Sequence, residues 1–274
     1  KKSRIKWMEK KEMIFESHAH YDDKAFDGDR EVLLRRLRVD GISYVVNVSS
    51  DLSSVEATLS LADKHEYVFA AVGIHPSDTG ELDEEKFGSQ LEGWCYEEKV
   101  VAVGEIGLDY HWDNVERETQ KKWFARQLAL AKEMRFPVII HSRDAAKDTL
   151  DVMRAEGQVP RRGVIHCFSY TKETAREFLD MDYLIGVGGV VTFSNAKKLR
   201  ECVEYVPLNR ILLETDCPYL APVPYRGKRN CSAYLPYVVK EIARIKGISE
   251  EEVEAATERN AKRLFSTPCE YIFE

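Results

Sequence analysis

The six cysteines (Cys95, Cys167, Cys202, Cys217, Cys231, Cys269) are scattered, and no two form a C-x-x-C pair. That excludes a zinc ribbon or a disulfide framework and fits buried thiols in a reducing compartment. No apolar stretch approaches the roughly 20 residues needed to span a bilayer, and no secretory hydrophobic segment precedes the first strand pattern. The expectation is a cytoplasmic protein with no membrane partner. An excess of basic residues is missing too. Lys and Arg number 40 against 47 Asp and Glu, a net charge of −7. This argues against wrapping long nucleic acid and leaves room only for a local basic mouth. No G-x-G-x-x-G follows the first strand pattern, which disfavours a dinucleotide-binding doubly wound sheet. The units also lack the self-similarity of a solenoid.

What is present is a soluble, core-forming composition, 44% hydrophobic and 32% charged. Val/Ile-rich runs predict strands at Ile14–Ser17, Ile42–Val48, Val68–Gly73, Val100–Gly104, Val138–Ile140, Gly163–Ile165, Leu184–Val187 and Arg210–Leu213. Between them lie helical patterns such as Arg30–Val39, Leu52–His65, Arg117–Arg135, Ala145–Ala155 and Ala196–Tyr205, with Ala233–Ile245 and Glu250–Leu264 at the end. Continuous apolar strands imply a sheet covered on both faces and paired in parallel through helical crossovers. Eight such units predict a single-domain TIM (β/α)8 barrel over residues 13–266. Residues 1–12 are read as an N-terminal extension, with Met13 as an alternative start, and 267–274 as a C-terminal tail.

The polar residues that follow these runs carry the chemistry. They are His18/His20, Asn47/Ser49, His75, Glu105, His141, His166, Gly188/Gly189 and Asp216, spaced 22 to 36 residues apart. In a barrel all of them reach the C-terminal rim, where catalytic groups gather. Five of the seven histidines are there. In an extended strand His18 and His20 point the same way, so both imidazoles reach one cation. His18, His20, Glu105, His141, His166 and Asp216 are too many ligands for one catalytic zinc. They suit two divalent cations sharing a carboxylate.

The chain resembles the TatD family of metal-dependent deoxyribonucleases, amidohydrolase-type barrels. The matching stretches are Glu16-Ser17-His18-Ala19-His20, Gly73-Ile74-His75-Pro76, Gly104-Glu105-Ile106-Gly107-Leu108-Asp109-Tyr110, and Pro137 to Arg143. To these are added Val164 to Ser169, Leu213 to Pro218, Arg226 to Asn230 and Asn260 to Phe265. The resemblance runs from about Met13 to Phe265. It implies that His18, His20, Glu105 and Asp216 hold one metal and that Glu105, His141 and His166 hold the other. Two positions depart from the family pattern: Glu16 replaces the usual Asp, and Cys217 a smaller residue. Neither removes a ligand.

The expected activity is hydrolysis of DNA phosphodiester bonds by a metal-activated water, exonucleolytic on single-stranded or frayed ends. Asp216 is the proton acceptor, Glu105 the bridge, and Glu214 an inward-facing supporting carboxylate. His75, Arg143, Arg226 and Arg229 are the expected substrate contacts, with Lys228 as a charge on the same loop. Tyr110, His111 and Trp112 offer faces for a base. Ligand softness favours zinc, whereas the resemblance adds magnesium; manganese also remains open. The competing reading is an amide or ester hydrolase, such as an aminoacyl-tRNA deacylase, because the same metals polarise a carbonyl. A monomer is favoured. Strand alternation turns Cys167 and Cys217 away from the metals. His65 ends a helix as a capping residue, and Arg161 and Arg162 fall on the opposite rim with no assigned role.

Overall fold

The computed structural model describes residues 13–112 and 114–266; the extension at 1–12 and the tail at 267–274 lie outside the described residues. Eight strands occur in the order β1 Ile14–Ala19, β2 Ile42–Val48, β3 Val68–Val72, β4 Val100–Asp109, β5 Val138–Arg143, β6 Gly163–Ile165, β7 Leu184–Val187 and β8 Ile211–Leu213. Each pairs in parallel with its sequence neighbour. β1 and β8 approach through an isolated bridge between Ala19 and Cys217. The Asp216 N–H donates to the His18 carbonyl at 3.0 Å and the His20 N–H to the Cys217 carbonyl at 2.9 Å. Side chains reinforce this seam. The Ser17 hydroxyl donates to the Leu213 carbonyl, and Glu16 accepts from the Thr215 amide and hydroxyl. The result is the predicted single-domain (β/α)8 barrel, nearly closed.

The described helices are α1 Arg30–Leu37, α2 Leu52–Lys64, α3 Glu84–Cys95, α4 Arg117–Met134, α5 Ala146–Glu156, α6 Lys172–Asp180, α7 Lys197–Tyr205, α8 Leu235–Lys246 and α9 Glu250–Phe265. Local chemistry sets several boundaries. Capping boxes start α2 (Asp51 with Ser54) and α9 (Ser249 with Glu252), satisfying amides that have no partner in the first turn. Gly247 ends α8 in the left-handed conformation that glycine adopts at little cost. Two apolar layers result. One lies between strands and helices; the other fills the barrel with Phe15, Val46, Phe69, Val101, Ile139 and Leu212. α9 closes the lower end of the barrel, with Phe265 stacked on Phe15 at a centroid distance of 5.8 Å. With one end plugged by apolar side chains, the polar residues are left at the other.

Strand lengths differ from expectation at the places that build the site. Asn47, Glu105 and His141 lie inside strands, not just past them. β4 continues to Asp109 because its ladder with β5 resumes after an irregularity, pairing Gly107 with His141 and Asp109 with Arg143. Gly107 permits this. It has φ +145°, and a Cβ there would sit 1.9 Å from the His141 carbonyl oxygen.

Candidate metal centre

His18, His20, Glu105, His141, His166 and Asp216 converge at the upper end of the barrel, brought there by β1, β4, β5 and the turns after β6 and β8. The two oxygens of Glu105 face different partners. Oε2 lies 3.4 Å from His18 Nε2 and 3.8 Å from His20 Nε2. Oε1 lies 2.6 Å from His141 Nδ1 and 3.6 Å from His166 Nε2. Asp216 Oδ1 closes the first group at 3.3 Å from His20 Nε2 and 3.7 Å from His18 Nε2. The halves are contiguous, since the His18 and His166 rings stack at 3.6 Å.

The electrostatics fit a cation. His18 Nε2 and His20 Nε2 face each other at 3.1 Å, an arrangement that needs a proton or a metal between two lone pairs. Burial alone would discharge His20, but its bond to Asp216 and the charges of Asp216 and Glu105 raise it to about 9. Burial, followed by the neighbouring His166, instead pushes His18 down. His166 rises to about 10 against burial because Glu214, Glu105 and Asp216 surround it. Burial opposes ionisation of Glu105, yet His166 and His141 hold it well below the carboxylate range. The metal-free centre therefore stores protons where cations would sit. Ligation requires neutral imidazole, so metal uptake at pH 7 should expel about one to two protons per protein. Affinity should climb with pH until His20 and His166 titrate near 9 and 10. Calorimetry in buffers of different ionisation enthalpy measures this, and proton-neutral uptake at pH 7 would contradict it.

Three of these candidate ligands are also approached from behind. His20 Nδ1 donates to the Val48 carbonyl at 2.7 Å. Asp109 Oδ2 lies 2.9 Å from His141 Nε2, and Glu214 Oε2 lies 3.3 Å from His166 Nδ1. Such partners fix the ring and the tautomer of a metal-binding histidine. Glu214 has the supporting place expected of it, and Gly186 makes room, since a Cβ there would meet Glu214 Oε2 at 2.4 Å. Asp109 is the residue that sequence reasoning missed. Its signal was its parity with Glu105, four residues earlier on one strand, which becomes readable only once β4 is known to run that far. Its other oxygen accepts from the His111 and Trp112 amides.

A cavity of about 590 Å³ opens above this centre. His75, Trp112, Asn114 and Arg143 line one part of it, and Asp22, Asp23 and Tyr219 another. The Arg143 guanidinium lies 5.7 Å from the Trp112 ring centroid. His75 Nδ1 accepts from the Ser77 amide as a helix cap, and the His75 ring groups with Asp109 and His141. Arg226 and Arg229 lie elsewhere. Arg226 packs over Phe193, and Arg229 makes a two-pronged bond to Asp29 and caps the Ala25 carbonyl. Among the three aromatics, Trp112 lines the cavity, whereas Tyr110 donates to Asp148 and stacks on Arg117. Cys167 departs from the expected orientation. β6 ends at Ile165 and Cys167 has φ 45°, so alternation no longer applies and its sulfur joins His166 and Asp216 in one cluster. His65 caps α2, as expected.

The family model described as "TatD related DNase" matches residues 15–266. An uncharacterized metal-dependent hydrolase of Bacillus subtilis, YabD, is 41% identical over 253 residues, 92% of this chain and 99% of that protein. YcfH of Escherichia coli K12, named likewise, is 36% identical over 255 residues, 92% and 95% of the two chains. The crystal structure of YJJV, a TatD homologue from Escherichia coli K12, superposes with a TM-score of 0.87 at 32% identity, covering 93% and 98% of the two chains. With this barrel, this histidine–carboxylate cluster and these relatives, the chain belongs to the TatD family of metal-dependent hydrolases.

Proposed function

We propose that this hydrolase cleaves phosphodiester bonds of DNA, releasing nucleotides from single-stranded or frayed ends, with two divalent cations (zinc, magnesium or manganese) per chain. The observation that carries the reading is the split of Glu105, one oxygen toward His18 and His20 and the other toward His141 and His166. Two nitrogen-rich groups sharing a carboxylate would suit a cation pair of the kind that assists in-line phosphoryl displacement. When bound, such a pair supplies an activated water and positive charge for the phosphoryl oxygens. Asp216, at the cavity floor and held ionised by the histidines around it, takes the proton from the attacking water. His141 keeps its orientation through its hydrogen bond to Asp109, and His166 has the Glu214 carboxylate within ion-pair distance at 3.3 Å.

The mouth supports a strand end as substrate. Arg143 is exposed, makes no ion pair with a described residue, and sits over Trp112, so a phosphate and a base can be held side by side. The carboxylates of Asp22 and Asp23, hydrogen-bonded by Asn47 and by Tyr219 with the Ala25 amide, add negative charge to the cavity and repel a polyanion running on past the centre. Replacing Arg143 by Ala should raise KM for single-stranded DNA about tenfold, the loss of a charge-assisted bond, with unchanged metal content. Loss of metal in that variant would make Arg143 structural instead.

The same two carboxylates favour a second reading, removal of an aminoacyl group from tRNA, because they would accept a free α-ammonium. End-labelled single-stranded DNA and aminoacylated tRNA, each incubated with metal-loaded protein, separate the two. Turnover of DNA is expected; turnover of the aminoacyl ester alone would replace the nuclease assignment. No described helix is long and apolar enough to cross a membrane.

A further inference from the structure

Arg161 and Arg162 have no part in this centre. They precede β6, at the end of the barrel opposite the metal ligands. There, with Asp182, Asn209, Arg210 and Arg263, they line a second cavity of about 450 Å³. Arg161, Arg162, Arg210 and Arg263 line it with one carboxylate, Asp182, among the described residues, a formal excess of three positive charges.

The carboxylate is shared. Asp182 pairs with Arg210 and lies 3.8 Å from Arg162 Nε. That distance is beyond a hydrogen bond, and Arg162 Nε is buried without a hydrogen-bond partner among the described residues. Its Nη atoms are spent on the Val159 carbonyl and Gln158, which fixes the fork in place. Arg161 is anchored through Nη2 to Ser266, and Arg263 through Nη2 to the Asn209 carbonyl at 3.3 Å. Each guanidinium has five N–H donors, so the anchored groups keep others for a ligand. Burial, and then the nearby Arg135, push Arg161 below its usual value, a further sign of uncompensated positive charge.

We propose that this cavity at the N-terminal end of the barrel binds a dianionic phosphate group, either free inorganic phosphate or the terminal phosphate of a nucleotide. The guanidinium fork matches phosphate oxygens in pairs, and a dianion offsets more of the three-charge excess than one carboxylate does. The site is separate from the metal centre and does not depend on which ester that centre cleaves.

Two-dimensional NMR of the arginine Nε–Hε signals in the metal-loaded protein reads the site locally. The probes are inorganic phosphate, adenosine 5′-monophosphate and adenosine, with sodium chloride at matched ionic strength. Saturable shifts of Arg162 and Arg210 with the two phosphates, and none with adenosine or chloride, are expected. Tighter binding of the nucleotide would identify the nucleotide as the source, and equal binding free phosphate. Arg263→Gln, at an exposed position, and Arg162→Gln should each weaken these shifts about tenfold and leave turnover at the metal centre unchanged. Shifts that rise linearly, that chloride reproduces, or that both substitutions leave intact would overturn the assignment.

Discussion

Glu105→Ala should remove both proposed cations and lower turnover about a thousandfold or more. The reason is geometric. Glu105 directs its two oxygens to different groups of imidazoles, at 3.4 Å to His18 Nε2 and 2.6 Å to His141 Nδ1. Without it the first group keeps His18, His20 and Asp216, while the second keeps two imidazoles and only the more distant Asp216 Oδ1, 3.8 Å from His166 Nε2, on its inner side. Two neighbouring cations would also repel each other with no negative charge between them. Metal analysis after desalting, beside circular dichroism to confirm folding, is the direct measurement. A folded variant still holding two ions would remove the bridge from the mechanism. A variant holding one ion would show that the groups are independent.

The second large effect is expected from Asp109. One oxygen accepts from His141 Nε2 at 2.9 Å, and the other from the amides of His111 at 2.8 Å and Trp112 at 3.1 Å. Burial opposes its charge, yet the bond from His141 keeps it ionised down to about 2. Asp109→Asn has a single acceptor oxygen and cannot serve both sides. Metal affinity on the His141 side should fall about 10- to 100-fold, the usual consequence of removing a partner behind a ligand histidine. The His18–His20 side should keep its ion. Nitrogen-15 NMR of the His141 ring would show the proton no longer confined to Nε2 in the metal-loaded variant. Retention of both ions with an unaltered ring would confine Asp109 to shaping the loop. Because the same carboxylate orders the Trp112 backbone, KM for the proposed DNA substrate should rise as well.

The barrel was legible because each strand is a short Val/Ile-rich run, and the six proposed ligands because each stands at the same end of such a run. Composition stops short where pairing sets the outcome. Gly104 and Gly107 interrupt the apolar run, so β4 reads as ending at Gly104, whereas the ladder with β5 carries it to Asp109. Arg229 carries the same charge as Arg143, and only the fold shows Asp29 waiting for it while Arg143 remains over Trp112. The position of Cys167 depended on a left-handed residue just past a strand of three. Alternation cannot anticipate that.

The seam between β1 and β8 has a consequence in time. Asp216 is synthesised nearly two hundred residues after His18 and His20, yet the three form one candidate half-site. Domains of this size take shape as the chain emerges, and contacts this distant in sequence are slow to form. A nascent or truncated chain lacking β8 and Asp216 has an open edge and an incomplete first half-site. On the proposed reading, hydrolytic competence arrives only when the segment carrying Asp216 meets β1, so an unfinished copy is expected to be inactive.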